Sequence, residues 1–126
     1  METTNEVTGT SRGVWTSLGV SFRALQDLDR EVLTQLTVFD LPVSMDEIYS
    51  VIQLPLGTTV SDVSATMYRL VAHSLLNVNF TGKFSMYPVV KQFAQSHLKK
   101  DVASLHYNAV CYYMKQGLID DTLRAR

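Results

Sequence analysis

Cysteine, fixed charge of one sign and long apolar runs are all scarce in this chain, and each scarcity removes a class of protein. Cys111 is the one cysteine in 126 residues and cannot close an internal disulfide. A staple-dependent secreted scaffold is thereby excluded, and a reducing, cytoplasmic setting is expected. Eleven basic residues against twelve acidic ones leave a net charge of −1, so the chain as a whole has no electrostatic pull toward nucleic acid or an anionic membrane. No apolar run nears the length that spans a bilayer, and the first residues lack the apolar core of a signal peptide. Asn79-Phe80-Thr81 matches a glycosylation sequon, which without such a signal is taken as a chance match. Gly-x-x-x-x-Gly-Lys-Ser/Thr is also missing, and with it the backbone cradle and lysine that hold nucleotide phosphates. The chain alone is therefore expected neither to bind nor to hydrolyse ATP. His73, His97 and His106 are too dispersed for a metal site. Ser96-x-x-Lys99 has no companion motif, and Asp120-Asp121 falls in a tail expected to fray. No catalytic residue and no metal ligand are expected.

What is present is enough apolar residue, 46% of the chain, to build one core in one domain. Residues 1–13 are polar and small and are expected to form a flexible arm or linker. Leu18, Phe22 and Leu25 fall at helical spacing in a first helix from Val14 to about Gln26. Asp27 is placed to cap a second helix whose stripe is Leu28, Val32, Leu33, Leu36 and Phe39, ended by Leu41-Pro42. Ser44 and Glu47 form a capping box before Ile48, Val51 and Ile52. Residues 99–126 are expected to be a C-terminal helix with Val102, Leu105, His106, Ala109, Tyr113 and Met114 on one face and Gly117 as its stop.

Between these lies the most informative stretch, Thr59 to Leu98. Thr59 and Asp62 make a second capping box, and Val63, Met67, Leu70, Val71 and Leu75 recur on one helical face. Leu76, Val78 and Phe80 then alternate with asparagines, and Phe84 and Met86 flank Ser85. Thr81-Gly82 lies between them as the turn of a hairpin with strands at about 76–80 and 83–87. Pro88 suits the first position of a new helix, whose apolar side is Val89, Val90, Phe93 and Ala94. Leu36, Phe39, Met67, Leu70, Val71, Leu75, Met86, Val90 and Phe93 are expected to pack together. A mainly α winged helix with a two-stranded wing is the fold expected over 14–98.

The wording of this stretch is narrower than its pattern. RLVAHSLL (69–76), GKFSMYP (82–88) and VVKQFA (89–94) together resemble the winged-helix domain of NB-ARC-like signal-transduction ATPases. LTQLTVF (33–39) looks like the approach to that domain. The resemblance implies a regulatory module that packs against a nucleotide-binding ATPase domain, in cis or in trans, and couples its ADP/ATP state to opening and assembly. It also implies helical repeats downstream. In the family a histidine at the end of the wing reaches the β-phosphate of ADP. Here that position is Tyr87, followed by Pro88 where the commoner motif has aspartate. A phenol can donate one hydrogen bond but cannot become a cation near neutral pH, so the charge-assisted contact does not carry over.

Arg69, His73, Lys83 and Lys91 are the residues expected on the module's interaction face. Winged helices often place a helix in the DNA groove. On the helix expected to do so, which carries Ser61, Asp62, Ser64, Thr66 and Tyr68, Arg69 is the one fixed cation; the wing adds Lys83. Phosphate binding needs several such contacts, so only weak, non-specific DNA affinity is expected. Lys91, Lys99 and Lys100 are expected on a solvated face. A free-standing transcription regulator and a protein-interaction adaptor are the competing functions.

Overall fold

The computed structural model describes residues 12–124, and side chains through Gly117. Six α-helices and a two-stranded antiparallel sheet occur among them: α1 (Arg12–Ala24), α2 (Asp27–Gln35), α3 (Met45–Val51), α4 (Val60–Ala72), β1 (Asn77–Val78), β2 (Phe84–Ser85), α5 (Pro88–Gln95) and α6 (Val102–Arg124). A 3₁₀ turn, Leu36–Val38, follows α2. None of these helices is long and apolar enough to cross a membrane. The expected arm lies outside the described residues, except that Arg12 and Gly13 already belong to α1.

Local chemistry sets most of the boundaries. Both capping boxes form. The Ser44 hydroxyl accepts from the Glu47 N–H while Glu47 accepts from the Ser44 N–H, and Thr59 and Asp62 repeat the exchange. Each satisfies two donors that a helix start leaves unpaired. Asp27, expected as a cap, is instead the first helical residue of α2; Gln26 occupies the cap position without a side-chain bond. Asp27 pairs with Arg30, whose guanidinium also donates to the Leu25 carbonyl and to the last carbonyls of α1. One cation thus caps the C-terminus of α1 where the helix dipole favours it. Thr34 and Thr37 hydroxyls donate to carbonyls three residues back, and the continuous helix expected as far as Phe39 tightens into the 3₁₀ turn at Leu36. Ser74 closes α4 in a left-handed conformation, φ 62°. The Leu75 and Ser74 N–H groups donate to Leu70 and Val71 carbonyls, the pattern in which glycine usually stands.

α2 is the central helix, packed on α4 and α5; α1 covers α5, and α6 lies mainly on α3. Leu36, Met67, Leu70, Leu75 and Val90 share one core, with Phe39, Val71 and Met86 partly buried against it. Phe93 is buried as well, but its ring meets Trp15, Phe22 and His97 under α1. The strands are shorter than alternation implied. Asn77 pairs with Ser85 and Val78 with Phe84; Asn79 then turns its side chain into the loop, and Met86 and Tyr87 leave the sheet to start α5. On the far side of Phe84, Val43 exchanges both backbone bonds with it, at 2.9 and 2.8 Å. Phe84 is thus flanked by backbone on both edges and is 2% exposed. Gly117 does not stop α6, which continues seven residues further in backbone to Arg124. A side chain there would meet nothing within 4 Å, so the position is an exposed helix interior, where glycine weakens the helix without ending it.

Candidate functional site

Tyr87 stands where β2 hands over to α5. Its extended backbone (φ −66°, ψ 146°) makes it the N-cap residue, with Pro88 at the first helical position, and its side chain makes no capping bond. At 49% exposure the phenol faces outward, available to something outside the chain.

Beside it opens a recess of about 340 Å³. The 3₁₀ turn and the segment after it form one wall through Phe39, Leu41, Pro42 and Val43; β2 and the start of α5 form the other through Phe84, Met86 and Pro88. The walls are apolar, and an ion pair marks the rim. Lys91 Nζ donates to Asp40 Oδ1 at 2.9 Å and to the Phe39 carbonyl at 3.0 Å. The ammonium, by hydrogen bond and by charge, holds the Asp40 carboxyl below its ordinary range.

The four residues expected to form an interaction face do not act together. Arg69 is committed to Asp29, a carboxylate 1% exposed on α2. Its Nε and Nη2 donate to the two carboxylate oxygens at 3.0 and 2.8 Å, and the Thr66 hydroxyl donates at 2.9 Å. Burial pushes the Asp29 carboxyl up, but the bonds from Arg69 and Thr66 outweigh it, and Asp29 titrates below its usual range. Arg69 is therefore a structural residue, because a buried carboxylate needs a fixed, bidentate cation. Lys91 is likewise held on Asp40, not free on a solvated face, and Lys100 lies 3.8 Å from Glu31. His73 is the exposed C-cap of α4. Lys83 stays exposed on the hairpin. No hydrogen bond or ion pair joins any two of the four among the described residues.

Other polar contacts have no local signal in the sequence. The buried Gln35 side chain both donates to and accepts from the backbone of Gln53, at 2.8 and 2.6 Å, satisfying its amide as burial demands. Tyr112 and Tyr113 on α6 donate to Asp46 and Glu47 at 2.9 and 2.5 Å, and Asn108 donates to the Val51 carbonyl at 2.9 Å. Burial and these carboxylates push both phenols up to about 12. No group of three or more His, Cys, Asp or Glu able to hold a metal occurs among the described residues. Comparison with protein-family models, curated proteins and solved structures gives no match.

Proposed function

We propose that this chain is a winged-helix regulatory module that packs against a nucleotide-binding ATPase domain, in cis or in trans, and couples ADP/ATP state to opening and assembly. Tyr87 carries the proposal: an outward phenol at the end of the wing, at the position the family uses to sense ADP. The order of elements supports the winged-helix assignment. A helix (α2) leads to a strand position at Val43, then two helices (α3 and α4), then a hairpin that pairs back on Val43. Soluble and cytoplasmic placement belongs to the same proposal.

DNA recognition is disfavoured by the fate of its main cation. The outward side of α4 offers Ser61, Asp62, Ala65 and Tyr68, while Arg69 is turned onto Asp29. Without several free cations the counterion-release term is small.

Calorimetry on the isolated chain should give no ADP or ATP binding. Where an ATPase domain lies in the same protein or in a partner, joining or mixing it with the module should increase ADP retention. Tyr87→Phe should then weaken retention by roughly tenfold or less, since a neutral hydrogen bond contributes about 0.5–1.5 kcal/mol. The ring remains, so packing is preserved. Unchanged ADP affinity in Tyr87→Phe would make the tyrosine structural. Tight, sequence-selective duplex binding near physiological salt would replace the proposal with transcription regulation, and binding to proteins other than ATPases would favour an adaptor.

A further inference from the structure

Phe80 is 101% exposed at the tip of the hairpin, and the loop that holds it is built, not slack. Asn79 Oδ1 accepts from the Thr81 N–H at 3.0 Å, the Thr81 hydroxyl at 2.6 Å and the Lys83 N–H at 3.0 Å. The Gly82 N–H donates to the Asn79 carbonyl at 2.9 Å, and Gly82 takes the left-handed turn conformation, φ +84°. A large ring is thus presented to water on a pre-shaped support. Such preorganised aromatics concentrate binding energy when they find a pocket.

The recess beside β2 is a pocket of matching chemistry. A cavity of about 150 Å³ already admits a benzene ring, and this one measures about 340 Å³ between Phe39, Val43, Phe84 and Met86. Leu41 stands at its lip, 77% exposed. Phe80, fully in solvent, does not fill the recess of its own chain. Asp40 at the rim is bonded to Lys91 through Oδ1, but its side chain is 92% exposed. Its second oxygen can therefore accept from a further cation such as the exposed Lys83, three residues from the Phe80 ring. A net charge of −1 opposes association of two copies very little.

We propose that the recess receives the Phe80 ring of a second copy of this chain, with Lys83 of one copy against Asp40 of the other. Every copy carries knob and hole, so two copies can engage reciprocally or successive copies can join head to tail. One ring and one ion pair make a contact smaller than the roughly 1,200–2,000 Å² of stable complexes. The contact is therefore weak, and it is strengthened wherever copies are already held close. This proposal does not rest on the ATPase reading.

Sedimentation of the full chain from about 10 μM to about 1 mM, the range in which a weak contact is populated, provides the test. The weight-average mass should rise with concentration. Phe80→Ser and Leu41→Asp alter exposed residues and should leave the far-UV circular dichroism unchanged while each abolishes the rise. Mixed together, the two variants should associate one to one, because the first keeps its hole and the second its knob. Concentration-independent monomer in the unaltered chain overturns the proposal. Association that survives Phe80→Ser also overturns it, by pointing to another surface. Failure of the mixture overturns it too, because ring-on-ring stacking would then explain the loss. A monomer whose Phe84 and Met86 resonances shift with added benzyl alcohol would assign the recess to a free aromatic ligand instead.

Discussion

α4 and α6 are both rich in apolar residues, yet the fold uses them in opposite ways. α4 buries Val63, Met67 and Leu70 completely, whereas Leu105 is the one described side chain that α6 buries. Val102, Tyr107, Val110, Tyr113 and Met114 of α6 remain exposed. The attachment of α6 is largely polar, through Asn108, Tyr112 and Tyr113 to the edge of α3. Charge follows the same division. α4 holds its cation against a carboxylate sealed from water, while α6 holds carboxylates that face water. Apolar content does not by itself make a core. A helix is buried where its apolar residues keep a single phase that a neighbour can cover, as in α4, and not where they spread around the axis, as in α6.

Truncations should separate the two helices most sharply. Leu70→Ala should cost about 4 kcal/mol in a urea melt, since a fully buried leucine loses transfer energy and leaves a cavity. Val110→Ala should change stability by less than about 0.5 kcal/mol, as exposed substitutions do. Equal costs would erase the distinction.

Next in size is Arg69→Ala, expected to cost about 3 kcal/mol because it leaves Asp29 buried without a counter-charge. Asp29→Ala combined with Arg69→Ala should cost less than the sum of the two single changes, because the orphaned charge disappears with its partner. Simple additivity would mean that Arg69 is no more than a surface ion pair.

Acid should act on the Asp29 and Glu47 contacts, and alkali on the phenols of α6. The folded Asp29 pKa lies below its unfolded value. Its contribution is therefore complete above the ordinary carboxylate range near 4 and is lost as pH falls through the lower folded value. Glu47 shares that acid limb: burial pushes it up, but the Tyr113 phenol and Ser44 outweigh this and hold it low. The alkaline limb near pH 12 belongs to α6. Tyr112 and Tyr113 have folded values near 12; their contribution is complete below the ordinary phenol value near 10 and is lost as pH rises through about 12. Phenolate absorbance followed alongside helical signal should show α6 loosening in that window. Loss of helix before any phenol ionises would break the assignment.

Among the polar contacts the smallest effect should be Tyr113→Phe, about 0.5–1 kcal/mol, since a bond at an exposed site returns its partner to water. A cost near that of Arg69→Ala would show that the α6 clamp works as a buried network after all.

Features decided within one turn of chain were legible in advance. The two capping boxes, Pro88 at the start of α5 and Gly82 in the hairpin each depend on partners no more than a few residues away. Strand length was not legible, because the Asn79 side chain takes the Lys83 N–H that a longer ladder would give to the Asn79 carbonyl, although the Asn79 N–H still bonds across to Lys83. Nor was the end of α6: a glycine stops a helix only where the chain has a better path, and Gly117 offered none. Of the candidate site, Tyr87 lies exposed where β2 gives way to α5. Arg69 and Lys91 were misplaced, because a cation's freedom depends on which acid the fold brings to it.

The sequence by itself determined where helices and the turn begin, since capping and backbone preference act between neighbours along the chain. Only the tertiary structure decided that Asp29 meets Arg69 across 40 residues and that Tyr112 and Tyr113 meet Asp46 and Glu47 across 66. It alone also brought Val43 to Phe84 and opened the recess beside them. Such contacts exist only once the core has set the separation of the helices, and no spacing along the chain encodes that distance.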